Sequence, residues 1–126
     1  MPNRLRILFV CSMNQWRSPT AEVLYRSDPR LHVKSAGVRS DAKRRISAAD
    51  VKWAEIIFVM DRAQKRWIQE RFRAVELPEI QVLEIPDDLV YMHPELQRLL
   101  RLALDPEIEA LLTRKSGDNT DGATDS

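Results

Sequence analysis

Cysteine occurs once in this 126-residue chain, at position 11, and glycine three times. A single cysteine excludes an intramolecular disulfide and any paired-cysteine zinc or redox motif, so a reducing, cytoplasmic setting is expected. Two of the glycines, Gly117 and Gly122, lie in a polar terminal stretch, which leaves Gly37 alone in the body. A glycine-rich nucleotide loop is therefore excluded. Long apolar runs are also missing. No stretch approaches the roughly 20 apolar residues of a membrane span, so no membrane partner is expected. The run Ile7 to Cys11, although preceded by Arg4 and Arg6, is too short for the core of a signal peptide. His32 and His93 stand apart from each other and from Cys11, without metal-ligand spacing, so neither a metal nor another cofactor is expected.

What is present suits one ordinary domain. Apolar residues make up 44% of the chain and charged residues 31%, enough to build a core and keep it in solution. That domain is expected over residues 1–115. The stretch 116–126 has no apolar residue beyond Ala123 and is expected to be a disordered polar tail. The formal charge of +1 conceals a division, with residues 1–73 carrying a net +9 and residues 74–126 a net −8. Such asymmetry fits a nucleic-acid face, a small-anion site in the basic half, or simply solvated helix faces.

Hydropathy patterning predicts an α/β sandwich. The runs Ile7–Val10 and Ile56–Met60 are continuously apolar, as central strands of a parallel sheet are. His32–Ala36 and Ile80–Ile85 are interrupted by Lys34, Gln81 and Glu84, as edge strands often are. Helical patterns lie between them. Pro19–Arg26 has Ala21 and Leu24 on one face, Ala48–Ala54 is short, and Arg62–Phe72 places Ala63, Trp67 and Phe72 in register. A last helix begins near Pro94 with Leu96, Leu99, Leu100, Ala103 and Leu104 in a stripe, and Pro106 is expected to kink or restart it. Right-handed crossovers then give a four-stranded parallel sheet of order 2-1-3-4 with helices on both faces. In such sheets ligands bind where the order reverses, beside the carboxyl ends of the central strands. Cys11 ends the first of them.

The segment from Cys11 through Ser12, Met13, Asn14, Gln15, Trp16 and Arg17 to Ser18 joins that strand to the next helix, with Ser18 expected as N-cap and Pro19 as first helical residue. Its backbone N–H groups and the helix dipole converge on one spot suited to an oxyanion, and the same field favours a thiolate. Arg17 can grip two phosphate oxygens through its planar fork. Cys-x5-Arg alone is a weak signal in a chain with 15 arginines; its place between a buried strand and a helix start, in the basic half, gives it weight.

Val10-Cys11 to Asn14, Arg17-Ser18-Pro19 and Ala21-Glu22 resemble the signature of the low-molecular-weight protein tyrosine phosphatases. Ser35-Ala36-Gly37, Met60-Asp61 and Ile85-Pro86-Asp87 resemble further family segments, so the likeness spans nearly the whole body. The resemblance implies Cys11 as nucleophile, Arg17 as stabiliser of the transition state, Asp87 as general acid with Asp88 as fallback, and Asn14 and Ser18 holding loop and thiolate. Phosphate would be bound by Ser12, Met13, Asn14, Gln15, Trp16 and Ser18, and the partner would be a phosphorylated protein or small molecule. The chain also departs from the pattern. Met13 stands where the family usually has glycine, which predicts a stiffer or differently bent loop. Trp16 stands where relatives often carry a second cysteine, so oxidised Cys11 would lack a disulfide partner. Leu89 replaces an aromatic of the acid loop, leaving Trp16 or Tyr91 to supply a wall. A non-catalytic phosphate- or nucleic-acid-binding module remains the alternative, with nucleic acid the less favoured partner. Thioredoxin-coupled arsenate reduction ranks below both because the resolving cysteines are missing.

Overall fold

The computed structural model describes the backbone of residues 3–124 and side chains of residues 3–117. Four parallel strands, β1 (Leu5–Cys11), β2 (Leu31–Gly37), β3 (Ile56–Val59) and β4 (Glu79–Val82), form one sheet of order β2-β1-β3-β4. Around it lie α1 (Arg17–Tyr25), α2 (Ala48–Trp53), α3 (Arg62–Arg71) and α4 (Pro94–Thr124). The expected order and parallel pairing are found.

Two apolar layers explain the continuous hydrophobic runs. Leu5, Ile7, Phe9 and Cys11 of β1 face one layer with Phe58, Tyr25 of α1 and the α4 row Leu96, Leu100, Leu104 and Ile108. Leu8 and Val10 face the other, with Val51 of α2 and Ile68 of α3. Both faces of the central strands are thus covered, and alternation by two distributes their side chains between the layers. Phe9 anchors the first layer, its ring 6.0 Å from Phe58 and 6.1 Å from Tyr25.

Several element ends differ from expectation. The expected fourth strand, Ile80–Ile85, stops at Val82 because Glu84 takes a left-handed φ of 57° and Pro86 has no N–H to donate. Leu83 and Ile85 still donate to Val59 and Met60 carbonyls, which keeps the segment before Asp87 against β3. In α3 the inward row is Gln64, Ile68 and Phe72, whereas Ala63 is exposed. Pro106 neither ends nor restarts α4. It is exposed, so the Leu102 carbonyl it cannot serve lies on the solvent side of the helix. α4 extends to Thr124, within the stretch 116–126 expected as a polar tail; residues 125–126 of that stretch lie outside the described residues. His93 caps α4, its Nδ1 accepting from Glu95 N at 3.0 Å. Among the described residues no helix is long and apolar enough to cross a membrane.

Candidate functional site

At the carboxyl end of β1 the chain turns through residues 12–16 into α1. The carbonyls of Cys11, Ser12 and Met13 accept from Val38, Arg39 and Lys43 N–H groups. In a trans peptide the next N–H points the opposite way, so Ser12, Met13 and Asn14 turn their N–H groups away from the 38–43 segment, toward the concave side of the loop. Asn14, only 4% exposed, supplies the left-handed turn with φ of 56°, one of the few residue types that tolerates it. Met13 is not among the described positive-φ residues. The left-handed position of the loop is therefore Asn14 and not Met13.

Gly37 is the glycine this loop requires. A Cβ there would lie 2.7 Å from the Ser12 carbonyl oxygen, 2.9 Å from Asn14 N and 2.7 Å from Ala42 Cβ. Two of these atoms are backbone of the anion loop, so any side chain at position 37 pushes the loop outward.

Cys11 is buried, and Ser18 Oγ lies 2.9 Å from its Sγ. Asn14 Nδ2 donates to Ser18 Oγ at 2.9 Å and to Ser35 Oγ at 3.0 Å, and Ser35 donates to Glu22 Oε1 at 2.5 Å. With a lone pair of Ser18 filled by Asn14, its own proton points at sulfur or at the Ala36 carbonyl, 3.3 Å away. Ser18 is consequently not the N-cap expected from sequence. α1 begins two residues earlier, at Arg17, Trp16 is its cap without a side-chain hydrogen bond, and Pro19 falls within the first four residues, whose N–H groups have no intrahelical partner.

Arg17 is 6% exposed. Its Nη1 donates to the Ile85 carbonyl at 3.0 Å and stands 3.6 Å from Asp61 Oδ2. Asp61 caps α3 in a reciprocal box with Gln64. Gln64, 2% exposed, accepts from Met60 N and Asp61 N through Oε1 and donates through Nε2 to Ser12 Oγ at 3.2 Å. Sequence reading missed Gln64. The signal available was Asp61-x-x-Gln64, a capping-box spacing directly after a buried strand. Arg44 joins the rear of the site, donating to the Ser35 carbonyl at 2.8 Å and to Asp50 Oδ1 at 2.7 Å. Among the described residues no buried side-chain nitrogen or oxygen lacks a partner.

The structure therefore joins Cys11, Asn14 and Ser18 in one hydrogen-bonded set and ties Ser12 and Arg17 to a second set around Gln64 and Asp61, with Met13 half-buried and Gln15 and Trp16 exposed. Asp87 and Asp88 are exposed, two and three residues beyond the carbonyl that holds Arg17, and among the described residues neither makes a hydrogen bond or ion pair with the loop. Leu89 packs against the α1/α4 layer. Trp16 and Tyr91, 39% and 49% exposed, sit on segments linked through Thr20, whose Oγ1 donates to the Trp16 carbonyl and accepts from Met92 N. Among the described residues no group of three or more His, Cys, Asp or Glu is placed to hold a metal ion.

Solved structures match the chain along most of its length. It is similar to a low molecular weight protein tyrosine phosphatase from Streptococcus pyogenes, at 17% identity and a TM-score of 0.72, over 85% of this chain and 93% of that one. It is similar to the YwlE arginine phosphatase from Geobacillus stearothermophilus, at 27% identity and a TM-score of 0.64, over 85% of this chain and 96% of that one. It is also similar to a Drosophila arginine phosphatase, at 22% identity and a TM-score of 0.65, over 88% of this chain and 98% of that one. No family model and no curated protein matches the sequence. The fold is that of the low-molecular-weight protein tyrosine phosphatases.

Proposed function

We propose that this chain, built on the fold of the low-molecular-weight protein tyrosine phosphatases, is a cysteine-dependent phosphatase whose catalytic body is residues 1–115. The observation that carries the reading is the Cys11–Ser18 contact of 2.9 Å at the end of a loop that also leads into buried Arg17. In the first step Cys11 Sγ attacks phosphorus, an S–P bond forms, and the bond from phosphorus to the leaving atom breaks. Asp87 donates the proton to the departing oxygen, with Asp88 as its fallback. In the second step water attacks the phosphocysteine, the carboxylate takes its proton, and phosphate and the cysteine thiolate are released. Arg17 and the loop N–H groups hold the three equatorial oxygens, and because the Ile85 carbonyl and Asp61 already fix the guanidinium, little reorganisation is needed. Ser18 stabilises the thiolate both as nucleophile and as leaving group.

Trp16 and Tyr91 are the aromatics available to flank an aryl leaving group. A phosphoarginine substrate is the second reading, favoured by the arginine phosphatase at 27% identity and by Leu89, which packs on the core instead of presenting an aromatic. The test compares hydrolysis of a chromogenic aryl phosphate and of phosphoarginine by the native protein, Cys11→Ser and Asp87→Ala across pH. Both activities are expected to vanish in Cys11→Ser. Asp87→Ala is expected to lose roughly 10²- to 10⁴-fold on the poorer leaving group. The better substrate of the two decides between the readings, and full activity in Cys11→Ser rejects both in favour of a binding module with an unrelated contaminant activity.

A further inference from the structure

The first turns of α3 carry charge that the helix itself does not want. Arg62, Lys65 and Arg66 occupy i, i+3 and i+4, and the first turn holds no acidic residue. Cations there oppose the positive end of the helix dipole, and like charges at these spacings repel one another. Among the described residues none of the three makes an ion pair, although ten such pairs form elsewhere on the described surface. Between Arg62 and Arg73 there are five basic residues and one acidic residue, Glu70. Local choices that work against their own element concentrate where a surface serves something else.

Position shows what that is. Arg62 follows Asp61, which stands 3.6 Å from Arg17, and Gln64, between the cations, reaches Ser12 of the anion loop. Arg62, Lys65 and Arg66 line a cavity of about 430 Å³ with Gln69 and Val82, the last residue of edge strand β4. This groove thus begins one residue from Asp61, the partner of Arg17. We infer that it is a docking surface for acidic side chains flanking the phosphorylated residue of a polypeptide substrate. The inference rests on the phosphatase reading and narrows its substrate to proteins with aspartate or glutamate beside the phosphosite. Single-stranded nucleic acid is disfavoured because, among the described residues, no aromatic lines the groove to stack a base, as single-strand binding surfaces typically provide.

The test compares phosphotyrosyl peptides with glutamate or with glutamine flanks, using the native protein and the triple variant Arg62→Gln, Lys65→Gln, Arg66→Gln. Exposed ion pairs are each worth about a factor of two, so the native protein should prefer glutamate flanks by about eightfold in kcat/KM at low salt, the preference fading as salt rises. The triple variant should lose the preference and keep its aryl-phosphate activity, which doubles as the folding control. An unphosphorylated glutamate-rich peptide should bind the native protein and not the variant by fluorescence anisotropy. That arm needs no turnover, so absence of aryl-phosphate activity in the native protein would defeat the phosphatase reading while leaving the surface decided on its own. Equal flank preference in native and variant overturns the inference. So does a deoxythymidine oligonucleotide that displaces the acidic peptide at equal charge.

Discussion

The two ends of the sheet treat polar groups in opposite ways. At the carboxyl end Asn14, Arg17, Ser18, Ser35 and Gln64 are buried, each hydrogen-bonded, around one cysteine. At the amino end the polar contacts are exposed or only partly buried. Arg30 joins Asp28 before β2 to Glu109 on α4 at 2.8 Å each, and Glu55 before β3 binds Lys115 Nζ and the Arg6 amide. Surface pairs of this kind contribute about 0–1 kcal/mol each. Burying polar groups costs more than that unless every partner is in place. A fold needing only stability would fill the carboxyl end with apolar side chains, so the concentration of satisfied polar groups there is what the proposed chemistry accounts for.

The contrast is broken most severely at Gly37. In Gly37→Ala the new methyl meets the backbone of Ser12 and Asn14 at 2.7 and 2.9 Å, so the anion loop must move. Activity on an aryl phosphate is expected to fall by about 10²-fold, since misplacement near 1 Å has that consequence, while the melting temperature drops by only a few degrees. Unchanged kcat would mean that the loop geometry is not what the activity depends on.

At the other end, Tyr25→Phe removes a hydroxyl that donates to Asp105 at 2.5 Å. Burial, reinforced by Asp105, pushes the Tyr25 hydroxyl well above its usual range. Asp105 is half exposed and water can replace the phenol, so the loss is about 1 kcal/mol rather than the upper range for charged hydrogen bonds. Thermal melting should show roughly 3 °C, with kcat/KM on the aryl phosphate unaltered. A large activity loss would couple the two ends and erase the contrast.

The smallest effect belongs to Glu55. Burial acts to raise its carboxyl, but the Lys115 hydrogen bond, the Arg6 amide and both positive charges outweigh it and hold it below the ordinary range. A depressed carboxyl means the unfolded chain binds the proton more tightly. Its contribution is therefore present above the unfolded carboxylate range and is lost as pH falls through the folded value. Denaturant titrations of native and Glu55→Gln proteins should differ by about 0.5 kcal/mol near neutrality, converging in acid. A difference that grows in acid contradicts the assignment.

These contrasts also explain what was legible in the sequence. Continuous apolar runs at Ile7 and Ile56 revealed the central strands because both sheet faces are covered, and the strand order followed from connection rules. Cys11, Asn14 and Arg17 were readable because one short loop carries them all. Gln64 was not, since a glutamine on an inward helix row looks like solvent-facing surface until its partners Ser12 and Asp61 are placed beside it. Of the two roles the sequence suggests for Ser18, helix cap and holder of the loop, only the cap fails, because its partners, Cys11, Asn14 and Ala36, come from the loop and the adjacent strand. The end of β4 was misplaced for a related reason: the left-handed turn at Glu84 has no residue-type signal.

The central claim is that Cys11 takes up phosphate within this loop. Rapid acid quench of the native protein during aryl-phosphate turnover, followed by peptide mapping by mass spectrometry, tests it directly. Phosphate on the peptide containing Cys11, appearing within the first turnover and absent in Cys11→Ser, is the predicted result. Turnover with no phosphate on that peptide, and undiminished in Cys11→Ser, would contradict it.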